Sequence, residues 1–264
     1  MATQQQRHLK VLIVGDSCVD VYHYGICTRL SPEAPVPVFK LSHTEKKEGM
    51  ALNVAQNLRA FGVEVEVITN PESITKERFI DLHTKSHLLR FDTGESQRLA
   101  PLSSRVIEGI DFSLYDAIAI VDYNKGFLNK AAASALSAYS QKADIPLFVD
   151  SKKQDLSPYN NSIIKINAAE AAQVADFPET YELITTMGAS GAHYNDILYT
   201  SDAVEVYDVC GAGDTFFGAL IYEYIMCQKL EEAVKFANKC ARVTVTKSGV
   251  YALSKEDIKN VNLC

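Results

Sequence analysis

Hydrophobic residues in this chain form short continuous runs that alternate with helical segments. The first run, residues 10–15 (KVLIVG), is apolar after its first residue and includes three β-branched residues, as in a strand buried on both faces of a parallel sheet. Later patterns predict strands at 63–69, 116–121, 145–149, 162–166 and 181–186, and helices at 49–62, 128–142, 212–226 and 230–246. This alternation predicts an α/β fold with a doubly wound, mostly parallel sheet and helices on both faces.

Two segments depart from this pattern and predict a small β layer. Residues 34–41 alternate in polarity and contain two prolines two positions apart, which remove N–H groups from the same side and indicate an edge strand. Residues 78–83 and 87–92 also alternate and predict a hairpin. Together these segments predict a β lid over the main body. The expected organisation is one domain, residues 1–264, with lid segments at about 22–47 and 77–93.

The candidate chemistry is concentrated in residues 208–221 (DVCGAGDTFFGALI), where a loop of small residues leads into an apolar helix. Gly211, Ala212 and Gly213 allow N–H groups at the helix N-terminus to point at one anion. Asp214 lies in the first turn, where the helix dipole lowers a carboxyl pKa, so we expect an ionised group that can accept a proton. Phosphoryl transfer needs both N–H donors for the phosphoryl oxygens and a carboxylate beside the attacking hydroxyl. The same residues also fit a simple helix start.

Further polar residues follow the first predicted strand. Asp16 and Asp20 come directly after it, and in open α/β sheets ligands bind beyond the carboxyl ends of the strands. Both aspartates are therefore placed to meet a ligand, with ordinary turn residues as the alternative. The sequence contains no G-x-x-x-x-G-K-[ST], and the 208–221 stretch does not fit G-x-G-x-x-G, which excludes two common nucleotide-binding motifs.

The amino-acid composition limits the classes of binding partner and the expected cellular location. The 264 residues are 47% hydrophobic, which is ample for a sizeable core, and they carry a net charge of −7. An acidic chain of this kind is a poor ligand for nucleic acid or an anionic membrane. Neither a membrane span nor a signal peptide is evident, and the six cysteines include no C-x-x-C pair. We expect a cytoplasmic protein with reduced thiols.

Several motifs together resemble one enzyme family. Residues 208–221 are similar, position by position, to the C-terminal signature of the ribokinase-like (PfkB) sugar kinases. More narrowly, residues 29–38 (RLSPEAPVPV), 122–126 (DYNKG) and 149–152 (VDSK) resemble motifs of the heptose-7-phosphate kinase branch, the kinase domain of ADP-heptose synthesis. The similarity runs from about residue 10 to residue 258. It implies a ribokinase-like fold with a β lid.

The resemblance also implies an activity. The family transfers a phosphoryl group from ATP to a hydroxyl of a sugar or sugar phosphate, and a heptose 7-phosphate-like acceptor is favoured here. Asp214 would be the general base, and the backbone of Gly211, Ala212, Gly213 and Asp214 would be the anion hole. The implied cofactors are ATP and Mg²⁺, and a monovalent cation is left open.

Similarity assigns roles to positions outside the main motif. The implied acceptor-binding residues are Asp16, Asp20, Gly49, Asn53 and Lys125, the last facing a substrate phosphate. The implied nucleotide-binding residues are Lys152, Thr186, Gly188, Gly191 and Asn238. Asn167 and Glu170 would order Mg²⁺, although the N-x-x-E spacing also fits a helix cap with a first-turn acid. Similarly, Gly188 and Gly191 fit a plain hairpin turn, and Lys125 fits a surface lysine.

The chain departs from the family pattern in several places. Met50 stands where a second glycine is usual and is expected to crowd the sugar site, Asn124 replaces a glycine, and Cys210 replaces a threonine. The segments after residues 69 and 170 are short, so a helix or two is expected to be missing from one flank. Two alternatives follow, a catalytically silent relative that binds sugar or nucleotide, and a kinase for another acceptor such as a nucleoside. The exposed lid predicts a homodimer formed through it.

Overall fold

The computed structural model describes residues 8–95 and 99–262, which form two β-sheets with flanking helices. The strands, in chain order, are β1 Lys10–Gly15, β2 Ser17–Leu30, β3 Pro37–Met50, β4 Glu64–Thr69, β5 Thr75–Asp81, β6 His87–Thr93, β7 Ala117–Asp122, β8 Leu147–Ser151, β9 Ser162–Asn167, β10 Tyr181–Thr186, β11 Ala192–Tyr194 and β12 Ile197–Tyr199. The helices are α1 Ala51–Ala60, α2 Ser104–Glu108, α3 Lys130–Ala143, α4 Ala168–Ala171, α5 Ala212–Cys227, α6 Leu230–Thr244 and α7 Lys255–Asn262.

The larger sheet has eight strands in the order β12-β11-β10-β9-β8-β7-β1-β4. Pairing is parallel from β4 through β1, β7, β8 and β9 to β10, whereas β11 and β12 extend the sheet in antiparallel fashion. Strands β7 and β8 are completely buried, because helices cover both faces of the sheet. The doubly wound, mostly parallel sheet predicted from the alternation of strands and helices is confirmed.

Successive residues of β1 pack in two separate hydrophobic cores, one on each face of the larger sheet. Val11 and Ile13 pack in a core with residues of α1, α5, α6 and α7, whereas Leu12 and Val14 join residues of α2 and α3 on the opposite face. Helix α5 is central to the first core, since nine of its residues, including Phe217, are buried. The prediction of a buried helix after the glycine loop is therefore confirmed, and its N-terminus is held firmly in place.

The lid is a four-stranded sheet in the order β3-β2-β5-β6. The long strands β2 and β3 pair antiparallel, β5 joins β2 in parallel, and β5 and β6 form a hairpin. The predicted hairpin and the edge position of the proline-containing strand are confirmed. Strand β2 was not predicted: it begins at Ser17, directly after β1, so Asp20 lies within a strand of the lid and not in a turn.

The connections on one flank of the main sheet are short, as expected. In the described chain no helix lies between β4 and β5, and none lies between α4 and β10. Helix α2 was not predicted. None of the described helices is long and apolar enough to cross a membrane. The described cysteines are free thiols, as expected, and Cys264 lies outside the described residues.

Candidate functional site

The site is built around the N-terminus of α5, beside residues at the carboxyl ends of the central strands. Gly211 precedes the helix in a left-handed conformation (φ 78°), and a Cβ there would come within 2.9 Å of Nδ2 of Asn53. A Cβ at Gly213 would lie 3.2 Å from Nζ of Lys165. The N–H groups of Gly213 and Asp214 come too early in the helix to have intrahelical acceptors, so they are available to an anion.

Asp214 is held at both carboxylate oxygens and is only 6% exposed. Nδ2 of Asn53 donates to one oxygen at 2.7 Å, and the hydroxyl of Tyr123 donates to the other at 3.1 Å. Burial raises the pKa of Asp214 to about 6, although the hydrogen bond from Asn53 opposes the rise. The predicted lowering of this pKa by the helix dipole is wrong, because burial outweighs it. The carboxyl group is still mostly ionised at neutral pH.

A close approach between α1 and α5 brings Asn53 to this carboxylate. A Cβ at Gly218 of α5 would lie 3.1 Å from Cβ of Asn57, so the glycine lets the two helices pack tightly. One turn after Asn53, Nδ2 of Asn57 donates to the Asn53 backbone oxygen at 3.0 Å and lies 3.3 Å from its Oδ1. These contacts orient the Asn53 amide so that its NH₂ group faces Asp214.

A buried ion pair lies beneath the helix N-terminus. Nζ of Lys165 on β9 is 2.6 Å from a carboxylate oxygen of Asp150 on β8, and both residues are buried. Burial alone would lower the pKa of Lys165, but the charge of Asp150 raises it overall, so the ammonium is retained. Sequence reasoning missed this lysine. The available signal was a single charged residue inside an apolar strand, which is rarely buried unless it is paired.

A cavity of about 570 Å³ opens from the α5 N-terminus, and every residue predicted to bind nucleotide or metal lines it. Backbone N–H of Ala212, part of the predicted anion hole, is directed at the Val209 oxygen at 3.3 Å, whereas those of Gly213 and Asp214 remain available. The lining residues that were predicted from sequence are Lys152, Asn167, Glu170, Thr186, Gly188, Gly191, Gly211, Ala212, Gly213, Asp214 and Asn238.

Asn167 and Glu170 form a capping box at the start of α4. Oδ1 of Asn167 accepts from the Glu170 N–H at 2.9 Å, and Oε2 of Glu170 accepts from the Asn167 N–H at 2.9 Å. The second oxygen of Glu170 lies 3.5 Å from Nζ of Lys152 and takes no part in the cap. Such a sparse donor set fits Mg²⁺, which keeps several waters and binds protein through one or two carboxylates together with substrate phosphates.

Asn238 has a structural partner in the cavity wall. Its Nδ2 donates to the Tyr199 backbone oxygen at 2.8 Å, which ties α6 to β12. The φ of Gly191 is 103°, and a Cβ there would lie 2.1 Å from the same Tyr199 oxygen, so the turn after β10 requires glycine. The predicted contacts of both residues with a nucleotide stay predictions.

None of the predicted acceptor residues lines this cavity, and one of them, Asn53, donates a hydrogen bond to Asp214. Asp20 of β2 is buried and forms an ion pair with Arg78 of β5 at 2.5 Å. Gly49 is on β3, and a Cβ there would lie 2.2 Å from Oδ2 of Asp20, so only glycine allows the Asp20 side chain to lie against β3. Sequence reasoning missed Arg78, because β5 was recognised as a strand but its partner β2 was not.

Asp16 and Lys125 are joined through a turn. Asp16 is completely buried, and its carboxylate accepts from the Lys125 N–H at 3.2 Å. Burial, together with the nearby charge of Asp122, raises the pKa of Asp16 to about 6. Asn124 adopts a left-handed conformation (φ 58°) in this turn, which explains how asparagine stands where a glycine is usual. Asp16 therefore supports the turn, and its direct contact with an acceptor stays a prediction.

The substitution at Met50 has a different effect from the one expected. Met50 precedes α1 with φ 56° and ψ −127°, a conformation that normally requires glycine. Its side chain is only 3% exposed and packs in the core with Cys18 and Ile74. The expectation that Met50 crowds the sugar site is not supported, because the side chain is buried in the core. The backbone of Met50 is strained, because a residue with a side chain occupies a conformation that glycine normally adopts.

Comparison with known proteins agrees with this architecture. Residues 53–257 match the family described as pfkB family carbohydrate kinase, so the chain belongs to that family. It is 30% identical to the bifunctional protein HldE of Nitratiruptor sp., over 95% of this chain and 64% of that protein. The HldE of Campylobacter concisus is also 30% identical, over 97% of this chain and 65% of that protein. The chain thus spans somewhat less than two thirds of these curated relatives.

Solved structures show the same fold at low sequence identity. Phosphofructokinase-2 from Escherichia coli, in complex with potassium, superposes with a TM-score of 0.73 at 16% identity, over 97% of this chain and 98% of that one. Ribokinase from Arabidopsis thaliana, complexed with ribose and ATP, gives a TM-score of 0.68 at 13% identity, over 96% and 98% of the two chains. The predictions of a ribokinase-like fold and of a carbohydrate kinase are confirmed.

Proposed function

We propose that the chain transfers the γ-phosphoryl group of ATP to a hydroxyl of a sugar phosphate, with a heptose 7-phosphate-like acceptor favoured. The family supports a carbohydrate kinase, and the HldE relatives favour a sugar phosphate as acceptor. One observation carries the proposal. Asp214 lines the 570 Å³ cavity, accepts a hydrogen bond from Asn53 of the predicted acceptor-binding set, and has its pKa raised to about 6 by burial.

In this proposal Asp214 removes the proton from the attacking hydroxyl. A carboxyl group with a pKa near 6 is ionised at neutral pH, yet it is more basic than an ordinary aspartate, which suits a general base. Asn53 and Tyr123 each hold one oxygen, so the carboxylate enters the reaction with its orientation fixed.

The α5 N-terminus stabilises the phosphoryl oxygens. The N–H groups of Gly213 and Asp214 donate to them, and Lys165 adds a positive charge behind Gly213. Asp150 holds that ammonium in place. Asn167 and Glu170 would hold Mg²⁺ through its waters, and the metal would supply positive charge to the phosphate oxygens of ATP. Nucleotide contacts come from Lys152, Thr186, Gly188, Gly191 and Asn238.

The lid serves two purposes in the proposal. Its inner face, with Asp20 and Arg78, covers the acceptor and excludes water that would hydrolyse ATP. On the opposite face Phe91 is 56% exposed and Leu89 is 57% exposed, and they share that face with Phe79 of the neighbouring strand. A second copy of the chain would cover this apolar face and give a dimer.

The dimer has a direct test in sedimentation velocity. At micromolar concentration the wild type should sediment as a dimer, and Phe91→Glu should sediment as a monomer. The introduced charge would be buried without a partner in the interface. A matched control is Leu114→Glu, which changes a residue that is 58% exposed and lies outside the lid. A wild-type protein that is monomeric under these conditions would overturn the proposed pairing.

The function is tested by phosphoryl transfer from labelled ATP. The acceptor panel contains heptose 7-phosphate, fructose, ribose and adenosine, each with Mg²⁺ and with EDTA in its place. The proposal predicts Mg²⁺-dependent transfer with the highest kcat/KM for the phosphorylated sugar. Preference for adenosine would identify a nucleoside kinase, and no transfer to any acceptor would identify a silent binding protein. Omitting K⁺ from the same assay tests whether a monovalent cation contributes.

A further inference from the structure

Two lysines converge on one glutamate beside the proposed base. Nζ of Lys76 lies 3.1 Å from Oε1 of Glu95, and Nζ of Lys125 lies 3.0 Å from Oε2. The three side chains are 13%, 21% and 26% exposed, so the cluster is largely shielded from water. One negative charge therefore faces two positive charges in a partly buried place, and the cluster keeps a net charge of +1.

This cluster lies on the acceptor side of the site. Lys76 is on β5, two residues before Arg78, so both side chains emerge from the inner face of the lid. Nζ of Lys76 is 5.8 Å from the ring centre of Tyr123, whose hydroxyl donates to Asp214. Lys125 follows two residues after Tyr123. The ammonium group of Lys76 is thus one side chain away from the proposed base.

The local backbone presents Glu95 to the two lysines. Gly94 follows the last lid strand with φ 81°, and a Cβ there would lie 2.5 Å from the Ser73 oxygen, so this turn is fixed by close packing. Burial would raise the pKa of Glu95, but hydrogen bonds with Lys125 and Lys76 lower it overall. The glutamate is therefore held as an anion between the lysines.

The neighbouring cations are already compensated. Arg78 is paired with Asp20, and Lys165 is paired with Asp150. Lys76 and Lys125, by contrast, share the single carboxylate of Glu95. A phosphate monoester brings close to two negative charges and three strong acceptor oxygens, which suits two ammonium groups better than one carboxylate does.

We infer that Lys76 joins Lys125, for which the family resemblance already implies a substrate phosphate, in binding a phosphate carried by the acceptor, and that Glu95 occupies this site until the acceptor enters. The inference rests on the proposed function, because it concerns how that kinase chooses its acceptor. An acceptor without a phosphate leaves Glu95 in place and gains nothing from the two lysines. The two lysines thereby favour phosphorylated acceptors, whereas Glu95 weakens the binding of any phosphate that has to displace it.

A simpler role for Glu95 is a latch that ties the lid to the body, since Lys76 is on the lid and Lys125 is on the body. The two roles differ in a measurable way. A latch affects every acceptor alike, because it controls lid closure only. A phosphate site changes the ratio of the KM values for a phosphorylated acceptor and its unphosphorylated analogue.

The kinetic test compares those two KM values across variants. We expect Lys76→Met and Lys125→Met each to raise the KM for the phosphorylated acceptor by about 10-fold or more, because a charge-assisted hydrogen bond is lost. The KM for the unphosphorylated analogue should change less than about 2-fold. Glu95→Gln should lower only the KM for the phosphorylated acceptor. Lys46→Met, at an exposed lysine on β3, is the control. An equal change for both acceptors would support the latch and overturn the inference.

A binding test separates this inference from the proposed function. Thermal melting is measured with inorganic phosphate while Mg²⁺ and ADP fill the nucleotide site. Phosphate should stabilise the wild type, stabilise Lys76→Met and Lys125→Met less, and stabilise Glu95→Gln more. If phosphoryl transfer is absent but this pattern holds, the kinase proposal fails and the phosphate site stands. Equal stabilisation of all variants, or none in the wild type, would overturn the phosphate site.

Discussion

Replacing Asp214 by asparagine should abolish transfer and at the same time stabilise the fold. The reason is the burial of the carboxylate, which moves its pKa from the ordinary value of 3.8 to about 6. That difference corresponds to about 3 kcal/mol of folding free energy at neutral pH, since 1.36 kcal/mol accompanies each pH unit. Asparagine removes this cost because it carries no charge.

Part of this gain is offset by a lost hydrogen bond. Both carboxylate oxygens of Asp214 accept hydrogen bonds, from Asn53 and from Tyr123, whereas an asparagine has a single acceptor oxygen. Leaving one buried donor without a partner costs about 1–3 kcal/mol. We therefore expect Asp214→Asn to be more stable than the wild type by up to about 2 kcal/mol at pH 7.5, which raises Tm by up to about 4 °C.

The stability difference should depend on pH in a defined direction. Because the folded-state pKa of Asp214 lies above the unfolded one, the folded protein holds the proton more tightly. The contribution of Asp214 to stability therefore falls as the pH rises from about 4 to about 6 and is constant above that range. The advantage of Asp214→Asn should grow over the same range and then level off. Melting curves between pH 4 and pH 8 measure it.

Activity completes the comparison. Loss of a general base lowers kcat by about 10²- to 10⁴-fold, and Asp214→Asn should show this loss in the ATP transfer assay while its KM for ATP stays close to that of the wild type. A variant that is less stable at every pH would contradict the assigned burial cost. A variant that keeps wild-type kcat would contradict the role of Asp214 as base.

Two further predictions concern the groups that hold this carboxylate. Tyr123→Phe removes a hydrogen bond that lowers the pKa of Asp214. The acid limb of the pH profile of kcat should therefore move to higher pH by about 0.5 to 1 unit. An unchanged acid limb would count against this hydrogen bond. Gly211→Ala forces a Cβ to within 2.9 Å of Asn53 in a left-handed position, so kcat should fall at least about 10-fold. Gly62→Ala is the matched control, because Gly62 also has a positive φ (84°) but a Cβ there would have no atom within 4 Å. Equal losses of kcat in the two variants would refute a specific effect of the contact with Asn53.

The elements that the sequence predicts well are those with one dominant local signal. Continuous apolar runs identified the parallel strands, because such strands are buried on both faces. Glycines followed by an apolar stretch identified α5. Strand β2 was missed because its polar and aromatic residues alternate without a clear period and begin only one residue after β1. Its burial comes from pairing with β3 and β5, which are distant in the chain.

The site shows the same division between local and distant information. Motif similarity marked Asp214 and Asn53, and the structure joins them by a hydrogen bond. The ion pairs of Lys165 and Arg78 could not be predicted, since each partner comes from another strand. The pKa of Asp214 was predicted in the wrong direction because the helix dipole is visible in a sequence, whereas the depth of burial is a property of the packed chain.

The most direct test of the central claim is a crystal structure with a non-hydrolysable ATP analogue, Mg²⁺ and a sugar phosphate acceptor bound together. We expect the nucleotide in the cavity lined by Thr186 and Gly191, and an acceptor hydroxyl about 2.6–3.2 Å from a carboxylate oxygen of Asp214. An acceptor bound away from Asp214, or a nucleotide bound outside that cavity, would contradict it.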